Sequence, residues 1–174
     1  MSAITRDELS RIGLQLLADH GLADVSMRRV ANEFGVAVSA LYWHVKDKQS
    51  LLGAMVDRLF DDIELEPATG DWKIDLPVRA EQFYESLLHT RDAAELAASV
   101  LALGTGGDRM RDALAEVSPD SVTTDAVMSL LIGHATLNQQ RVQAQALGVE
   151  VSTTATSTFR QALSLLIGNS PDAD

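Results

Sequence analysis

Within about twenty residues, from Ser26 to His44, the chain holds a short amphipathic helical pattern, a glycine and a second, still shorter helical pattern. Ser26 is placed to cap Met27–Phe34, in which Val30, Ala31 and Phe34 share one face, and Gly35 supplies a turn residue free to adopt positive φ. The second pattern runs from Val38 to about His44 and stops at Lys46-Asp47-Lys48. Helices this short are marginal alone, so they need neighbours to bury their apolar stripes. The flanking sequence supplies them. Thr5 and Glu8 form a capping box for a helix whose Leu9, Ile12, Gly13, Leu16, Leu17 and His20 recur at helical spacing up to Gly21. Asp47 is placed to cap a long helix that holds Leu51, Leu52, Met55, Val56, Leu59, Phe60 and Ile63 on one face until Pro67 and Gly70 break the pattern.

Helical periodicity continues through Phe83, Tyr84, Leu87 and Leu88, and through Leu96, Ala97, Val100 and Leu101. Pro77 lacks an N–H, so this helix is expected to start near Asp75, which leaves the proline in the first turn. The pattern stops at Gly104-Thr105-Gly106-Gly107, a glycine cluster that follows a helix rather than a strand and so reads as a plain turn instead of a phosphate loop. A shorter helix is expected over Asp108–Val117. Ser118-Pro119 then reads as N-cap and first-turn proline of a long helix reaching Ala146, closed by Gly148. The last helix is expected from about Thr153 to Ile167, with Gly168 after it. No strand alternation or internal repeat occurs, and the one biased stretch is the Ser/Thr-rich Ser152–Thr158. The fold class is all-α. With 46% hydrophobic residues in 174, the chain can bury a real core, and the absence of cysteine excludes a disulfide scaffold. No apolar run approaches the ~20 residues needed to span a bilayer, and Met1–Glu8 is too polar for a secretory leader, so a cytoplasmic protein with no membrane partner is expected.

The formal charge of −11 argues against a protein that coats polyanions through its overall field. That excess is not evenly spread. Residues 1–60 carry seven basic and seven acidic side chains, so all of it lies beyond residue 60. In the near-neutral part, Val36, Val38, Leu41 and Val45 can face the core, which leaves Ser39, Ala40, Tyr42, Trp43 and His44 in water. The spacing of the two short helices matches a helix-turn-helix, although a tight corner in any small helical bundle fits it as well. Exposed large aromatics favour the former. Small Ser39 and Ala40 would let the backbone approach base edges, Tyr42, His44, Lys46 and Lys48 offer groups to phosphates, and Arg28 and Arg29 could reach the backbone or a guanine.

Leu41-Tyr42-Trp43-His44-Val45-Lys46-Asp47-Lys48, preceded by Ser26-Met27-Arg28-Arg29-Val30-Ala31 and Phe34-Gly35-Val36, resembles the N-terminal domain of the TetR family of repressors, and its tetracycline-repressor branch in particular. The similarity covers about residues 5–60. It is weaker beyond, at Asp71-Trp72, His89-Thr90-Arg91-Asp92 and Gly133-His134-Ala135-Thr136-Leu137. The resemblance implies a three-helix helix-turn-helix domain over residues 1–47, a connecting helix over 48–64, and a ligand-binding and dimerisation bundle over 65–174. It implies DNA contact by Ser26, Met27, Arg28, Val38, Ser39, Ala40, Tyr42, Trp43, His44 and Lys48, the last on a phosphate. Phe83, matching an aromatic of the family's pocket, and His134 and Asn138, on helices with apolar neighbours, are the candidates for ligand contact; a satisfied core or interface role for the last two stands beside it. Departures are equally plain. Ile63, Glu64 and Ala97 stand where tetracycline-binding members carry histidines, and Arg79 replaces an amide, so a different inducer is expected.

The partners so implied are a double-stranded palindromic operator, a second copy of the chain and an unidentified small-molecule inducer. One recognition helix buries little, and two copies about 34–36 Å apart would engage successive major grooves. The two last long helices carry apolar residues on more than one face, as packing on a partner requires. HExxH, Walker A, GxSxG and a nucleophilic cysteine are all absent, and Glu85 with His89 finds no third metal ligand at readable spacing. No catalytic residue, metal or cofactor is therefore expected. A helical ligand-binding or scaffold bundle without a DNA-binding role is the alternative, and a small helical enzyme ranks below both.

Overall fold

The computed structural model describes residues 4–151 and 158–168. The regular elements among these residues are helical: α1 (Arg6–His20), α2 (Met27–Phe34), α3 (Val38–Leu41), α4 (Lys48–Asp61), α5 (Trp72–His89), α6 (Ala93–Leu103), α7 (Asp108–Val117), α8 (Ser121–Ala146) and α9 (Phe159–Leu166), with one 3-10 turn at Leu22–Asp24. Among the described residues no helix is long and apolar enough to cross a membrane. The chain divides into two compact units, Met1–Asp62 with His89–Arg109, and Ile63–Leu88 with Met110–Asp174.

In the first unit the expected N-caps are formed, although Glu8 turns its carboxylate to Arg11 Nε at 3.0 Å and does not close the expected capping box. Thr5 Oγ1 accepts from Glu8 N at 3.1 Å, Ser26 Oγ from Arg29 N at 3.2 Å, and Asp47 Oδ1 from Ser50 N at 2.8 Å. Gly35 ends α2 in the left-handed region at φ 66°. α1 buries Leu9, Leu16 and Leu17 against α4, whose Leu51, Leu52, Met55, Val56 and Phe60 are also buried. α6 and the loop after it cover the rest of α4. Here Gly104–Gly107 proves to be more than a turn. A Cβ on Gly53 would lie 2.0 Å from the Thr105 carbonyl oxygen, and one on Gly106 would lie 2.9 Å from Gly53 Cα, so the two backbones meet through facing glycines. Gly107 N then donates to Asp57 Oδ1 at 2.8 Å. The periodicity that ran on past Leu88 is interrupted between α5 and α6 by Asp92 at φ 56°. Its carboxylate accepts from Leu22 N at 2.8 Å, a contact 70 residues distant in sequence that holds the strained backbone in place.

In the second unit α5 starts at Trp72, one turn before the expected Asp75. Asp71 provides the reason, since its side chain accepts from Lys73 N at 3.0 Å and its carbonyl from Ile74 N and Asp75 N, both at 2.9 Å. Pro77 therefore lies inside the helix, where it cannot supply the usual bond to the Lys73 carbonyl. Asp75, freed from capping, accepts from Thr69 N, Thr69 Oγ1 and Gly70 N, and these bonds, led by that from the Thr69 backbone, hold its carboxyl below the ordinary range. Arg79 is 5% exposed. Its guanidinium donates to the carbonyls of Ala113 (3.1 Å) and Glu66 (3.2 Å) and to Glu116 Oε2 (2.6 Å), which ties the segment before α5 to α7. α8 begins at Ser121, capped by Asp120, whose Oδ1 accepts from Thr123 N at 2.8 Å; Ser118 does not cap it, because its hydroxyl donates to the Asp120 carbonyl at 3.0 Å. A carboxylate is the stronger acceptor at a helix N-terminus, so Asp120 takes the cap position from Ser118-Pro119. α9 starts at Phe159 behind a Thr158 and Gln161 capping box, whereas the expected first turn at Thr153 and most of the Ser/Thr-rich stretch lie outside the described residues. Met110 and Met128 are buried, as filler methionines are.

Candidate DNA interface and cavity

α3 is a single turn, shorter than the expected Val38–His44. The Leu41 carbonyl accepts from both His44 N (2.9 Å) and Val45 N (3.0 Å), which closes the chain into a turn at Tyr42–His44. Leu41 and Val45 are buried and anchor this turn, while Val36 and Val38 are half-buried. With those anchors inside, Ser39, Tyr42, Trp43 and His44 are exposed and Ala40 is half-buried. Trp43 is 89% exposed and Tyr42 53%, an arrangement that a folded core does not require. Lys46 and Lys48 follow the turn and Arg28 lies in the first turn of α2, all exposed and without a salt bridge among the described residues, whereas Arg29 pairs with Asp24 at 3.1 Å. Asp47 lies between the two lysines. The Ser50 backbone N–H, then its hydroxyl, hold the Asp47 carboxyl below its ordinary range, so that charge is committed to the cap. Of the ten residues assigned to DNA contact, Ser26 spends its side chain on capping α2, and Met27 is buried, so its side chain packs inside the unit.

The second unit holds a cavity of about 480 Å³. On one side α5 contributes Glu81, Tyr84, Glu85 and Leu88; on the other, α8 contributes His134, Asn138 and Arg141, and Thr158, Phe159 and Arg160 complete it. Tyr84 stacks on Phe159 with ring centroids 4.3 Å apart and planes 13° from parallel, and His134 sits edgewise to Tyr84 at 6.3 Å. Asn138 Nδ2 donates to the Tyr84 hydroxyl at 3.2 Å. Arg160 forms a two-pronged bond to Glu81, at 2.7 and 2.6 Å, that raises its own proton affinity. Burial, then the charge of Arg141, lowers the proton affinity of His134 and keeps the imidazole neutral near pH 7. His134 and Asn138 thus line the cavity. Phe83 does not, being fully buried in the core one residue before Tyr84. Sequence reasoning passed over Tyr84, Arg141 and Phe159 as cavity residues, yet a signal was present: His134, Asn138 and Arg141 are spaced at i, i+4 and i+7, one face of a helix.

Residues 12–55 match the family described as bacterial regulatory proteins, tetR family. The tetracycline repressor protein class C of Escherichia coli is 29% identical to the chain over 189 aligned positions, which cover 99% of this chain and 86% of the repressor. Among solved structures, Mycobacterium smegmatis BioQ superposes with a TM-score of 0.81 at 28% identity, covering 95% of this chain and 97% of its own. BioQ solved with its natural double-stranded DNA operator superposes at 0.80 and 27% identity, over 95% and 97% of the two chains. An outward-facing aromatic turn, a match to tetR family regulatory proteins over residues 12–55 and relatives that span nearly the whole chain agree: the protein is similar to the TetR family of regulatory proteins in its first helices and in its fold.

Proposed function

We propose that the protein is a transcriptional regulator, probing DNA with the turn after α2 and changing its DNA affinity when a small molecule occupies the second unit. The carrying observation is the turn after α3, where Tyr42, Trp43 and His44 are exposed and the exposed cations Lys46 and Lys48 follow directly, with Arg28 exposed on α2 before it. Nothing in core packing needs those groups outside, and a major groove with its phosphates accepts all of them. In functional terms residues 1–47 form the DNA-binding head, 48–64 the connecting helix and 65–174 the effector and dimerisation part. Ser39, Ala40, Tyr42, Trp43 and His44 approach bases and backbone, with Val38 setting the depth of the turn. Arg28 and Lys48 take phosphates, and Ser26 and Met27 position the start of α2.

The regulator acts as a homodimer, because one turn of helix contacts too little DNA for specificity and paired heads engage successive major grooves about 34–36 Å apart. Apolar side chains left in water on α8 and α9 support this reading: Val122 is 76% exposed, Val142 57% and Leu165 66%. The operator is a palindrome of about 15 base pairs. An effector held by His134 and Asn138 favours a form whose head spacing does not fit it. The −11 charge lies beyond residue 60, which orients the near-neutral heads toward DNA and suits a cytoplasmic protein with low non-specific affinity. Its similarity to repressors over nearly the whole chain supports a regulator rather than an enzyme.

The test is selection of bound fragments from genomic DNA by purified protein at a stated salt concentration, repeated with Tyr42→Ala and Lys48→Ala. A palindromic site enriched by the parent and lost or weakened in both variants is expected. The Lys48→Ala variant should also lower the salt slope of dimer binding by about 1.8, that is about 0.9 for each of its two copies. Absence of any enriched site at low salt refutes the reading and leaves a ligand-binding bundle.

A further inference from the structure

The cavity between α5, α8 and α9 carries two positive and two negative side chains, and they are not equally engaged. Glu81 is consumed by the two-pronged bond from Arg160. Glu85 has a partner of its own within the fold. Arg141 is half-buried on the cavity wall and forms no salt bridge among the described residues. A guanidinium held partly out of water next to stacked aromatic rings is incompletely satisfied, and its planar fork matches a carboxylate edge-on. The neighbouring groups narrow the choice further. Tyr84 and Phe159 present a flat, apolar wall, and Asn138, whose amide N–H₂ is committed to the Tyr84 hydroxyl, keeps its carbonyl oxygen free to accept from a hydroxyl or amine on a ligand. With Glu81 and Glu85 on the opposite wall, a doubly charged phosphate would meet repulsion that a single carboxylate largely avoids. A volume of about 480 Å³ admits a molecule of two to four fused rings.

We propose that this cavity binds a planar aromatic monocarboxylate, with its rings against the Tyr84 and Phe159 wall and its carboxylate on Arg141. The proposal deepens the effector role given to the second unit and rests on that reading. His134 responds to such a ligand. With Arg141 neutralised by the carboxylate, one of the two causes that disfavour its protonated form is removed, so the complex takes up a proton more readily than the free protein. The other charges facing His134 across the cavity, Glu81 with Arg160 and Glu85, are unchanged by the ligand.

Isothermal titration calorimetry on the full chain tests this with 2-naphthoate and its uncharged isostere 2-naphthamide. The parent should bind the carboxylate at least tenfold more tightly than the amide. Arg141→Gln should abolish that difference, while Arg111→Gln, whose arginine pairs with Asp125 outside the cavity, should keep it. Affinity for 2-naphthoate should also rise between pH 7.5 and pH 6. Equal affinities for the two probes, an unchanged Arg141→Gln variant, or no heat from 2-naphthoate at millimolar concentration would overturn the assignment. The same preparations are assayed for DNA binding. Operator binding without naphthoate binding sinks this inference alone; naphthoate binding by a protein that enriches no DNA sinks the regulator reading and leaves the cavity chemistry standing. Thermal unfolding of Arg141→Gln within about 2 °C of the parent shows that the variant is folded.

Discussion

Substituting Gly53 by alanine isolates the contact on which the packing of α4 against the loop after α6 depends. The added Cβ would meet the Thr105 carbonyl oxygen at 2.0 Å and its carbon at 2.9 Å. Both are backbone atoms, so no rotamer change relieves the overlap, and the loop must lift by about 1 Å or more to restore an ordinary contact. Lifting it strains a segment held at one end by Thr105 N on the Val100 carbonyl (3.1 Å) and at the other by Gly107 N on Asp57 (2.8 Å). Overpacking of this kind costs about 1–3 kcal/mol, and loss of the second bond adds about 1 kcal/mol because the part-exposed Asp57 carboxylate regains water. Against this, alanine in a helix interior gains about 1 kcal/mol over glycine. The net loss is about 1–3 kcal/mol, or about 3–10 °C in Tm for a chain of this size. Gly13→Ala provides the comparison. Its Cβ would lie 2.6 Å from Met55 Sδ, the far part of a flexible side chain that can turn aside, so overpacking and propensity nearly cancel. Urea unfolding followed by circular dichroism at 222 nm, at one protein concentration, should place Gly53→Ala at least about 1 kcal/mol below Gly13→Ala. Equal stabilities, or a Gly53→Ala protein as stable as the parent, would refute the close backbone approach.

Two further outcomes follow from the second unit. Arg79→Leu should destabilise the fold by about 2–3 kcal/mol in the same urea assay, because it leaves the Ala113 and Glu66 carbonyls without their side-chain donor, while the exposed Glu116 returns to water at little cost. His134 is held below its ordinary value of 6.5, mainly by burial and then by Arg141. Between 6.5 and that lower folded value the unfolded chain binds more protons, so stability drops as pH falls through this window. His134→Gln should therefore lose less stability than the parent between pH 7.5 and 5.5; an identical pH dependence would show that the imidazole titrates normally. The remaining histidines act equally in both proteins and cancel.

The first sixty residues were legible because their signals are local. Thr5, Ser26 and Asp47 cap within three residues of themselves, Gly35 needs only its own φ, and the exposure of Tyr42, Trp43 and His44 follows from having Leu41 and Val45 as anchors on either side. The motif around Lys46-Asp47-Lys48 carried the family resemblance for the same reason. Local reading failed where two acceptable caps competed, as at Ser118 and Asp120, and where a proline rule was outweighed, as at Pro77, because Asp71 could cap a turn earlier.

What the sequence by itself determined is the helical class, the helices of the first sixty residues with their caps and the outward face of the recognition turn, since helical hydrogen bonds and caps join residues no more than four apart; the break at Asp92 that splits one expected helix into α5 and α6 it did not. Tertiary structure alone decided that Gly104–Gly107 seats against Gly53, that Asp92 adopts positive φ to reach Leu22, that Arg79 is buried among distant carbonyls, and that Arg141 faces Tyr84 and Phe159 across a cavity. Each of these joins residues dozens of positions apart, and no periodicity along the chain records which helices will meet.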